Sequence, residues 1–328
     1  MATTLDGAGT EVDRAEPTWP KPVAPGLAYL KTGIVNVFFA GETGRGDRSW
    51  VLVDAGLYGT AGSVASAAAR RYGANCRPSA IVLTHGHFDH VGALRELAEA
   101  WDVPIYAHRL ELPYLTGRSP YPPPDPTVEG GLMAGMSWMY PSKPIDVSDR
   151  VRPLPDDGSV PGMPGWRWIH TPGHTAGHVS LFRDSDRTLI AGDAFVTTKQ
   201  ESLLAVLAQV AVIHGPPRYF TPDWESARRS VEALAALEPR IAATGHGVPL
   251  AGETMRDDLR ELARNFDRES VPPRGRYVGR PAITDAGGVV SIPPDVPHPV
   301  ANPWVGLAVG LAAGVLVARA FHGSGRSD

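Results

Sequence analysis

The chain has 328 residues, and its 31 lysines and arginines against 35 aspartates and glutamates give a formal net charge of −4. This length can bury a substantial core, and a slightly negative chain without a block of basic residues argues against nucleic acid as a substrate. The one cysteine, Cys76, excludes a disulfide within the chain and is consistent with a reducing compartment such as the cytoplasm.

The N-terminal part alternates polar stretches with short apolar runs. Residues 1–24 are polar and are predicted to form a disordered N-terminal segment. Strands are predicted over 33–40 and 50–53, and a small-residue helix over 61–72. Asp54 directly follows the second strand, where we expect it to support a turn or a ligand rather than to bind metal itself.

The next apolar run, 80–83, leads into the densest group of polar side chains in the sequence. Within six residues stand His85, His87, Asp89 and His90. Imidazole and carboxylate groups suit zinc and related divalent cations, and a loop at the end of a strand can turn several of them toward one point. Four such groups would be expensive to bury without a cation, so we predict a metal site here.

Residues 113–145 interrupt the alternation of helices and strands. The proline-rich stretch 121–126 cannot be helical, and an apolar stretch follows that contains methionines at 133, 136 and 139. Methionines three positions apart either pack a helix onto the core or form an adaptable apolar lid that accepts an acyl group. Under the lid alternative, Trp138 and Tyr140 are predicted to line the substrate pocket.

Three more side chains of the ligand type stand on glycine-bearing loops, each after a short apolar run. They are His174, Asp193 and His246. This repeated placement is expected when ligands gather at one edge of a sheet. His178 is expected to support His174 or to pack locally, and His214, on the loop between Asp193 and His246, is a candidate to face the substrate.

Along the rest of the chain, apolar runs separated by turn-forming residues predict interleaved helices and strands in two halves. This pattern indicates an α+β fold in which two sheets are sandwiched between helices, an αββα arrangement. Further helices are predicted over residues 91–101 and 224–237, and further strands over 103–107, 179–182 and 188–190.

The polar motifs together resemble a known family. The run H-x-H-x-D-H, the later T-P-G-H-T-x-G-H, the G-D and the final G-H-G resemble the metallo-β-lactamase-fold hydrolases. Within that superfamily they are most similar to the glyoxalase II and lactonase branch. The resemblance implies a hydrolase domain over residues 25–270 with the αββα fold.

The resemblance also implies a set of ligands for two divalent metal ions, with zinc expected first and iron or manganese as alternatives. One ion would be held by His85, His87 and His174, the other by Asp89, His90 and His246, with Asp193 bridging them. A metal-bridging hydroxide would then cleave a small ester, thioester or lactone, and Asp89 would carry the proton to the leaving group. The bridging Asp193 argues against β-lactam cleavage.

Two alternatives stay open beside the hydrolase. One is a mononuclear iron persulfide dioxygenase, which needs fewer ligands than the seven present, and the other is a non-catalytic metal-binding protein. The substrate also stays open among esters, thioesters and lactones. Glyoxalase II carries a tyrosine shortly after its last histidine ligand, and similar lactonases carry one beyond the bridging aspartate, whereas this chain has 247–249 as Gly-Val-Pro and 194–196 as Ala-Phe-Val.

The C-terminal part has a different composition. Residues 271–303 are rich in proline and are predicted to be an extended linker, followed by a largely apolar helix over 304–321. We predict that this helix anchors a cytoplasmic catalytic domain to a membrane and pairs with a second copy through Gly306, Gly310 and Gly314. The alternative is a helix docked on the enzyme, because its uncharged stretch would span only about 22 Å of a roughly 30 Å hydrocarbon core.

Overall fold

A computed structural model of the protein describes residues 20–296, and its larger sheet has seven strands in chain order. The first three pairings are antiparallel and the last three are parallel. The strands are β1 (Lys21–Ala24), β2 (Leu27–Thr32), β3 (Val35–Ala40), β4 (Val51–Val53), β5 (Ala80–Val82), β6 (Ile105–Ala107) and β7 (Val151–Pro153).

The second sheet has five strands, and only its β10–β11 pair is parallel. Its strands are β8 (Trp166–His170), β9 (Val179–Arg183), β10 (Thr188–Gly192), β11 (Ile241–Thr244) and β12 (Leu250–Ala251). A separate antiparallel hairpin near the end of the described chain is formed by β13 (Ile283–Asp285) and β14 (Gly288–Ser291).

Helices lie between the strands and vary widely in length. They are α1 (Ala61–Tyr72), α2 (Phe88–Val91), α3 (Leu94–Trp101), α4 (Leu112–Leu115), α5 (Leu132–Gly135), α6 (Leu203–Ala208), α7 (Trp224–Ala236), α8 (Glu253–Arg264) and α9 (Phe266–Glu269). Short 3₁₀ turns occur at Ser137–Met139 and Arg218–Phe220.

The core has three apolar layers because the central strands are buried on both faces. In β3, Phe38 points toward the second sheet whereas Phe39 points toward the helices α1 and α3. The layer between the sheets includes Val82 and Ile190, and the outer face of the second sheet packs against α7 and α8. Helices therefore cover both outer faces, and the predicted αββα sandwich is confirmed.

Several predicted elements coincide with observed ones. The helix predicted over 61–72 is α1, Ala61–Tyr72, and the predicted helix over 224–237 is α7. The helix predicted over 91–101 is observed from Leu94 as α3, Leu94–Trp101, whereas Val91 ends the separate short helix α2 just before Gly92. A Cβ at Gly92 would overlap the backbone of residues 57 and 58, so the chain turns there against that segment.

The predicted terminal segments differ from the structure where it describes them. Lys21–Ala24, within the segment predicted to be disordered, forms the edge strand β1. The predicted linker 271–303 contains the hairpin β13–β14 and the buried Tyr277, whose hydroxyl donates to the Pro123 carbonyl. Apolar contacts and hydrogen bonds therefore hold residues 271–291 of this segment on the domain instead of leaving them extended.

The predicted helix over 304–321, with its glycines at 306, 310 and 314, lies outside the described residues. Between residues 20 and 296 no helix is both long and apolar enough to cross a membrane.

Candidate metal centre

The polar side chains singled out by the sequence meet at one edge of the two sheets. His85 and His87 lie on the loop after β5, and Asp89 and His90 lie on α2, which begins directly after that loop. The other three polar side chains come from the second sheet. One lies on the turn between β8 and β9, and the other two lie on the loops that follow β10 and β11. These are His174, Asp193 and His246.

The seven side chains form overlapping groups with the spacing of metal ligands. In each group the ligand atoms lie within 4.8 Å of one another. Every member is buried, and the most exposed, Asp89, has only 6% of its surface accessible. The groups are His85, His87 and His174; His85, His90 and Asp193; and Asp89, His90 and His246.

Asp193 lies between the two halves of the cluster, and its two oxygens face different histidines. Its Oδ2 is 3.0 Å from His246 Nε2 and 3.5 Å from His174 Nε2. Its Oδ1 is 3.7 Å from His90 Nε2. The His87 Nδ1 and His174 Nε2 atoms approach to 2.9 Å on one side, and Asp89 Oδ2 lies 3.4 Å from His246 Nε2 on the other.

Several atoms of the cluster are buried without a hydrogen-bond partner. Among residues 20–296, His85 Nε2, His90 Nε2 and Asp193 Oδ1 all lack one. Buried polar atoms are normally paired, because each unmet one costs about 1–3 kcal/mol. Inward-facing imidazole nitrogens around a carboxylate are a donor set that suits divalent cations, so the residues present fit a metal centre.

The electrostatics leave lone pairs available to a cation. Burial, reinforced by the neighbouring imidazoles, holds the pKa of His85 well below its ordinary value and lowers the pKa of His87 to about 3. Burial also lowers the pKa of His174. Burial alone would lower the pKa of His90 as well, but the carboxylates around it, Asp54 first, raise that pKa. Three imidazoles on one side are therefore neutral in the metal-free protein.

Hydrogen bonds from behind fix which ring nitrogen faces the centre. His90 Nδ1 donates to Asp54 Oδ2 over 2.9 Å, and His246 Nδ1 donates to the Ile34 carbonyl over 2.7 Å. Asp54 also accepts hydrogen bonds from the Thr84 amide and hydroxyl, each over 2.8 Å. It does so from a left-handed backbone with φ of 60°. The expectation that Asp54 supports the site from behind agrees with these contacts.

His178 supports a different residue from the one expected. Its Nε2 accepts a hydrogen bond from the backbone amide of Asp193 over 2.9 Å. Its Nδ1 then faces the Thr171 hydroxyl, 2.8 Å away. His178 thus orients the loop that carries Asp193, although it stands only four residues after His174 in sequence.

A buried glutamate that the sequence did not single out joins two of the ligand loops. Glu111 Oε2 accepts from the Gly86 amide over 2.9 Å and from the Tyr121 hydroxyl. Its Oε1 accepts from the Thr175 hydroxyl over 2.7 Å and from the Gly177 amide over 2.9 Å. One carboxylate therefore ties the loop of His85 and His87 to the loop of His174. Nothing in the sequence around residue 111 signals this role.

Two clefts reach the cluster from the surface. One contains Asp89, Asp193 and His246 and has aromatic walls formed by Phe88, Tyr140, Tyr219 and Phe220. The other borders His87 and His174. Rings of Tyr121 and Phe220 flank His87, with centroids 4.7 and 4.5 Å from its own. Phe220 and His87 belong to both clefts.

The three predicted pocket residues are placed differently. Tyr140 lines the cleft above Asp89, and burial raises its pKa to about 12. Trp138 is 64% exposed, and neither it nor His214 is among the described residues that line the two clefts. The His214 backbone pairs with Val196, and its Nε2 lies 3.8 Å from Glu201 Oε2. A single turn thus directs Tyr140 inward and Trp138 outward.

Comparison with known proteins agrees with this geometry. A family model described as the metallo-beta-lactamase superfamily matches residues 6–246. The probable metallo-hydrolase YflN of Bacillus subtilis (strain 168) is 50% identical over 243 residues, which cover 74% of this chain and 92% of that protein. The probable metallo-hydrolase YybB of the same organism is 32% identical over 170 residues, covering 52% of this chain and 64% of that protein.

Among solved structures, a beta-lactamase domain protein from Burkholderia ambifaria is similar with a TM-score of 0.52 and 19% sequence identity. The match covers 79% of this chain and 80% of that chain. At this level of identity the similarity supports the fold alone.

Proposed function

Since the chain belongs to the metallo-beta-lactamase superfamily, we propose that it is a binuclear metal-dependent hydrolase of the glyoxalase II and lactonase-like branch. Its substrate would be a small ester, thioester or lactone. The observation that carries this proposal is the set of overlapping, buried ligand groups, in which His85 Nε2, His90 Nε2 and Asp193 Oδ1 have no hydrogen-bond partner among the described residues. Two separate groups, joined by a third that contains Asp193, are what a pair of neighbouring cations would need.

The distances support a division of the ligands into two sets. His85, His87 and His174 would hold one ion, because their ligand atoms form one compact group. A second group, made of Asp89, His90 and His246, would hold the other ion. Asp193 would bridge the two, since its oxygens face His174 on one side and His90 on the other.

Two divalent cations at these positions, zinc first with iron or manganese as alternatives, would supply hydroxide at neutral pH and polarise the carbonyl of the substrate. The protein's own residues supply orientation and shielding. Asp54, His178 and Glu111 hold the ligand loops from behind. Aromatic walls line the cleft above the cluster, and such low-polarity surroundings strengthen charge interactions there.

Asp89 is proposed as the residue that moves the proton. Its carboxylate belongs to the second ligand group and also lines the cleft beneath Tyr140 and Phe88. A group at this boundary can accept a proton from the attacking water and deliver it to the leaving oxygen or sulfur. Among the described residues, only two carboxylates line this cleft, Asp89 and Asp193. Because Asp193 lies between the two ligand sets, Asp89 is the remaining candidate.

The test is to measure metal content in the purified full chain and then to assay it with a panel of esters, thioesters and lactones. Two zinc-type ions per chain and turnover of at least one class would support the proposal. One iron per chain with oxygen uptake on persulfides would instead favour the dioxygenase. Bound metal without turnover of any of these substrates would favour a non-catalytic metal-binding protein.

A further inference from the structure

The clefts at the cluster lack a positively charged side chain. Among the described residues that line them, the charged carboxylates are Asp89, Asp193 and Asp223, and no lysine or arginine is present. Arg218 stands between two wall residues in sequence, but its guanidinium donates to the Ser270 and Glu269 carbonyls. A substrate with an anionic tail would therefore meet no lysine or arginine among the described residues that line the clefts, and only a bound metal could attract it there.

Apolar rings form the wall beside the cluster. The ring centroids of Phe88, Tyr140 and Phe220 lie 5.8 to 6.2 Å apart, so the three rings form a contiguous triangle. The Tyr140 hydroxyl donates to the Met133 carbonyl over 3.1 Å. Because that donor is occupied, Tyr140 presents its ring to the cleft rather than a free hydroxyl.

This wall continues toward the surface. The apolar cluster that contains Phe220 also contains Met133 and Ala134 of α5, and Leu203 of α6 packs against it. The Met133 amide donates to the Glu201 carbonyl over 3.1 Å, which joins the two segments at their bases. The floor of the cleft and the outer helices α5 and α6 thus belong to one apolar body.

Two segments that extend from this body, residues 132–139 and 204–212, carry exposed apolar side chains, which together are called the apolar patch. Seven of the eleven exposed large apolar side chains of the described residues lie in these two segments. Leu204 is 78% and Trp138 is 64% exposed. Residues 130–142 and 202–213 contain no charged side chain, so the patch is uncharged as well as apolar. Exposed apolar patches of this kind usually mark a binding surface.

We propose that the substrate is a neutral compound whose acyl group carries a hydrocarbon chain, and that the chain lies along the aromatic wall and across the apolar patch. The inference rests on the proposed hydrolase function. Water adds to the acyl carbon, the bond from that carbon to the leaving oxygen or sulfur breaks, and the leaving atom takes up a proton. The continuity of patch and cleft selects a substrate chain as the occupant of this surface.

The first test uses the zinc-loaded full chain and three p-nitrophenyl esters: acetate, octanoate and the mono-ester of suberic acid, which ends in a carboxylate. The kcat/KM of the octanoate should exceed that of the acetate at least tenfold, because each buried methylene contributes roughly fourfold. The suberate should fall at least tenfold below the octanoate. Equal values along the series, or a preference for the suberate, would overturn the inference.

A second test locates the chain. In the double variant Leu204→Ser with Leu207→Ser, the ratio of octanoate to acetate kcat/KM should fall at least fivefold. The matched control is Val290→Ser, which removes a 59% exposed apolar side chain outside the patch and should leave the ratio unchanged. An equal loss in both proteins, or no loss in the double variant, would contradict the placement of the chain on the patch.

A binding measurement separates this inference from the proposed function. Octanamide and suberic acid monoamide are added to the full chain, and binding is followed by ligand-observed NMR, which needs no turnover. Octanamide should bind more tightly, and its binding should weaken in the double variant. If the chain holds two metals yet cleaves no ester, thioester or lactone, the hydrolase proposal fails, while the amide comparison still decides the substrate class. Equal binding of the two amides, or none, overturns it.

Discussion

Buried carboxylates have two different roles around the metal centre. Asp89 and Asp193 face the cluster with oxygens that a cation can bind, and Asp193 Oδ1 has no other partner among the described residues. Asp54 and Glu111 are equally buried but are saturated with hydrogen bonds from the ligand loops. Since a buried carboxylate is tolerated only when it is paired, the pattern of donors distinguishes a ligand from a support.

Changing Asp193→Asn should remove the bridge. The amide keeps the shape of the side chain but loses the negative charge between the two ligand sets, so the pair of cations would repel each other with less compensation. We expect metal content to fall from two ions per chain to one or fewer. Turnover should fall by more than roughly 100-fold, which is the most that mutation of a residue hydrogen-bonded to a metal ligand usually costs. Elemental analysis and kcat/KM measure both, and full retention of both would contradict the bridging role.

Glu111→Gln should weaken metal binding without touching a ligand. The two oxygens of Glu111 now accept four hydrogen bonds, and the glutamine would put an NH₂ group in place of one of these oxygens. Because that group donates instead of accepting, the loops of His87 and His174 would lose their common tie. We expect metal affinity, measured by chelator competition, to fall about 10- to 100-fold. The matched control is Asp125→Asn, a buried carboxylate bonded to Thr127 and Arg276. Equal loss in both variants would indicate general destabilisation instead.

The clustering of the ligand-type side chains could be predicted from the sequence, whereas Glu111 could not. Four ligand-type side chains within six residues have few uses other than metal binding, so this stretch predicts a metal site directly. The four are His85, His87, Asp89 and His90. Glu111 is a single acid with ordinary neighbours. Its partners stand 10 to 66 positions away in the chain, so only the tertiary fold brings them together.

At the scale of elements, each ligand follows a strand end, and the space there is tightly limited. The loop after β11 shows this at Gly245, which precedes the ligand His246. A Cβ at this position would overlap Asp193 Oδ1 and lie 2.8 Å from His90 Cε1. The glycine is required here for the close approach of the backbone to two ligands from other loops.

Gly245→Ala should therefore damage the metal centre more than the fold. The added methyl group would displace Asp193 or His90, and both belong to the ligand groups. We expect loss of at least one metal ion per chain, with a moderate decrease in the melting temperature. Gly62→Ala in α1 serves as the control, because its Cβ would meet no atom within 4 Å. If the alanine at 245 retained both metals at unchanged affinity, the described packing would be wrong.

Local periodicity was sufficient for regular elements but not for residues 113–145. Ala61–Tyr72 shows helical spacing from end to end, and it begins and ends where predicted. The segment with Trp138 and Tyr140 forms a one-turn helix and a 3₁₀ turn instead of a continuous helix. Which side chain points inward there depends on Phe88 and Phe220 from distant elements, so the sequence could not separate the two.

At the scale of the whole molecule, the C-terminal described segment completes one cleft. Tyr277 is only 3% exposed and lines the cleft beside His174, together with Ala282 and Thr284. The Ala282 amide donates to the Pro222 carbonyl over 3.0 Å, and the Val289 amide donates to the Ser119 hydroxyl over 3.0 Å. The domain predicted to end at residue 270 thus has further residues packed against it.

Truncation should measure this contribution. A chain that ends at residue 272 lacks Tyr277 and the hairpin, whereas a chain that ends at residue 296 keeps both. We expect the shorter chain to be less stable by about 3 kcal/mol, because a fully buried aromatic side chain contributes up to that amount. Urea unfolding of the metal-free proteins gives the difference. Equal unfolding free energies would show that the segment adds nothing to the stability of the domain.

The overall sandwich was predictable because apolar runs, helices and glycine loops alternate regularly along the chain. Which face of each strand meets the second sheet could not be predicted, as β3 shows. Phe38 and Phe39 are both buried, so the sequence of β3 lacks the alternation of apolar and polar residues that would distinguish its two faces. The pairing of β10 with β11 also needs contacts between residues about 50 positions apart. Such pairings follow from the packing of both halves rather than from local sequence.

The placement of the ligands on two sheets has a consequence for how the protein is made. Synthesis delivers His85 to His90 first, then His174 and Asp193, and His246 only after more than 50 further residues. A ribosome-bound chain could therefore hold the three-histidine set before its last ligand exists. The second set closes only when β11 has joined β10, so full metal loading would be a late event that reports on completed folding.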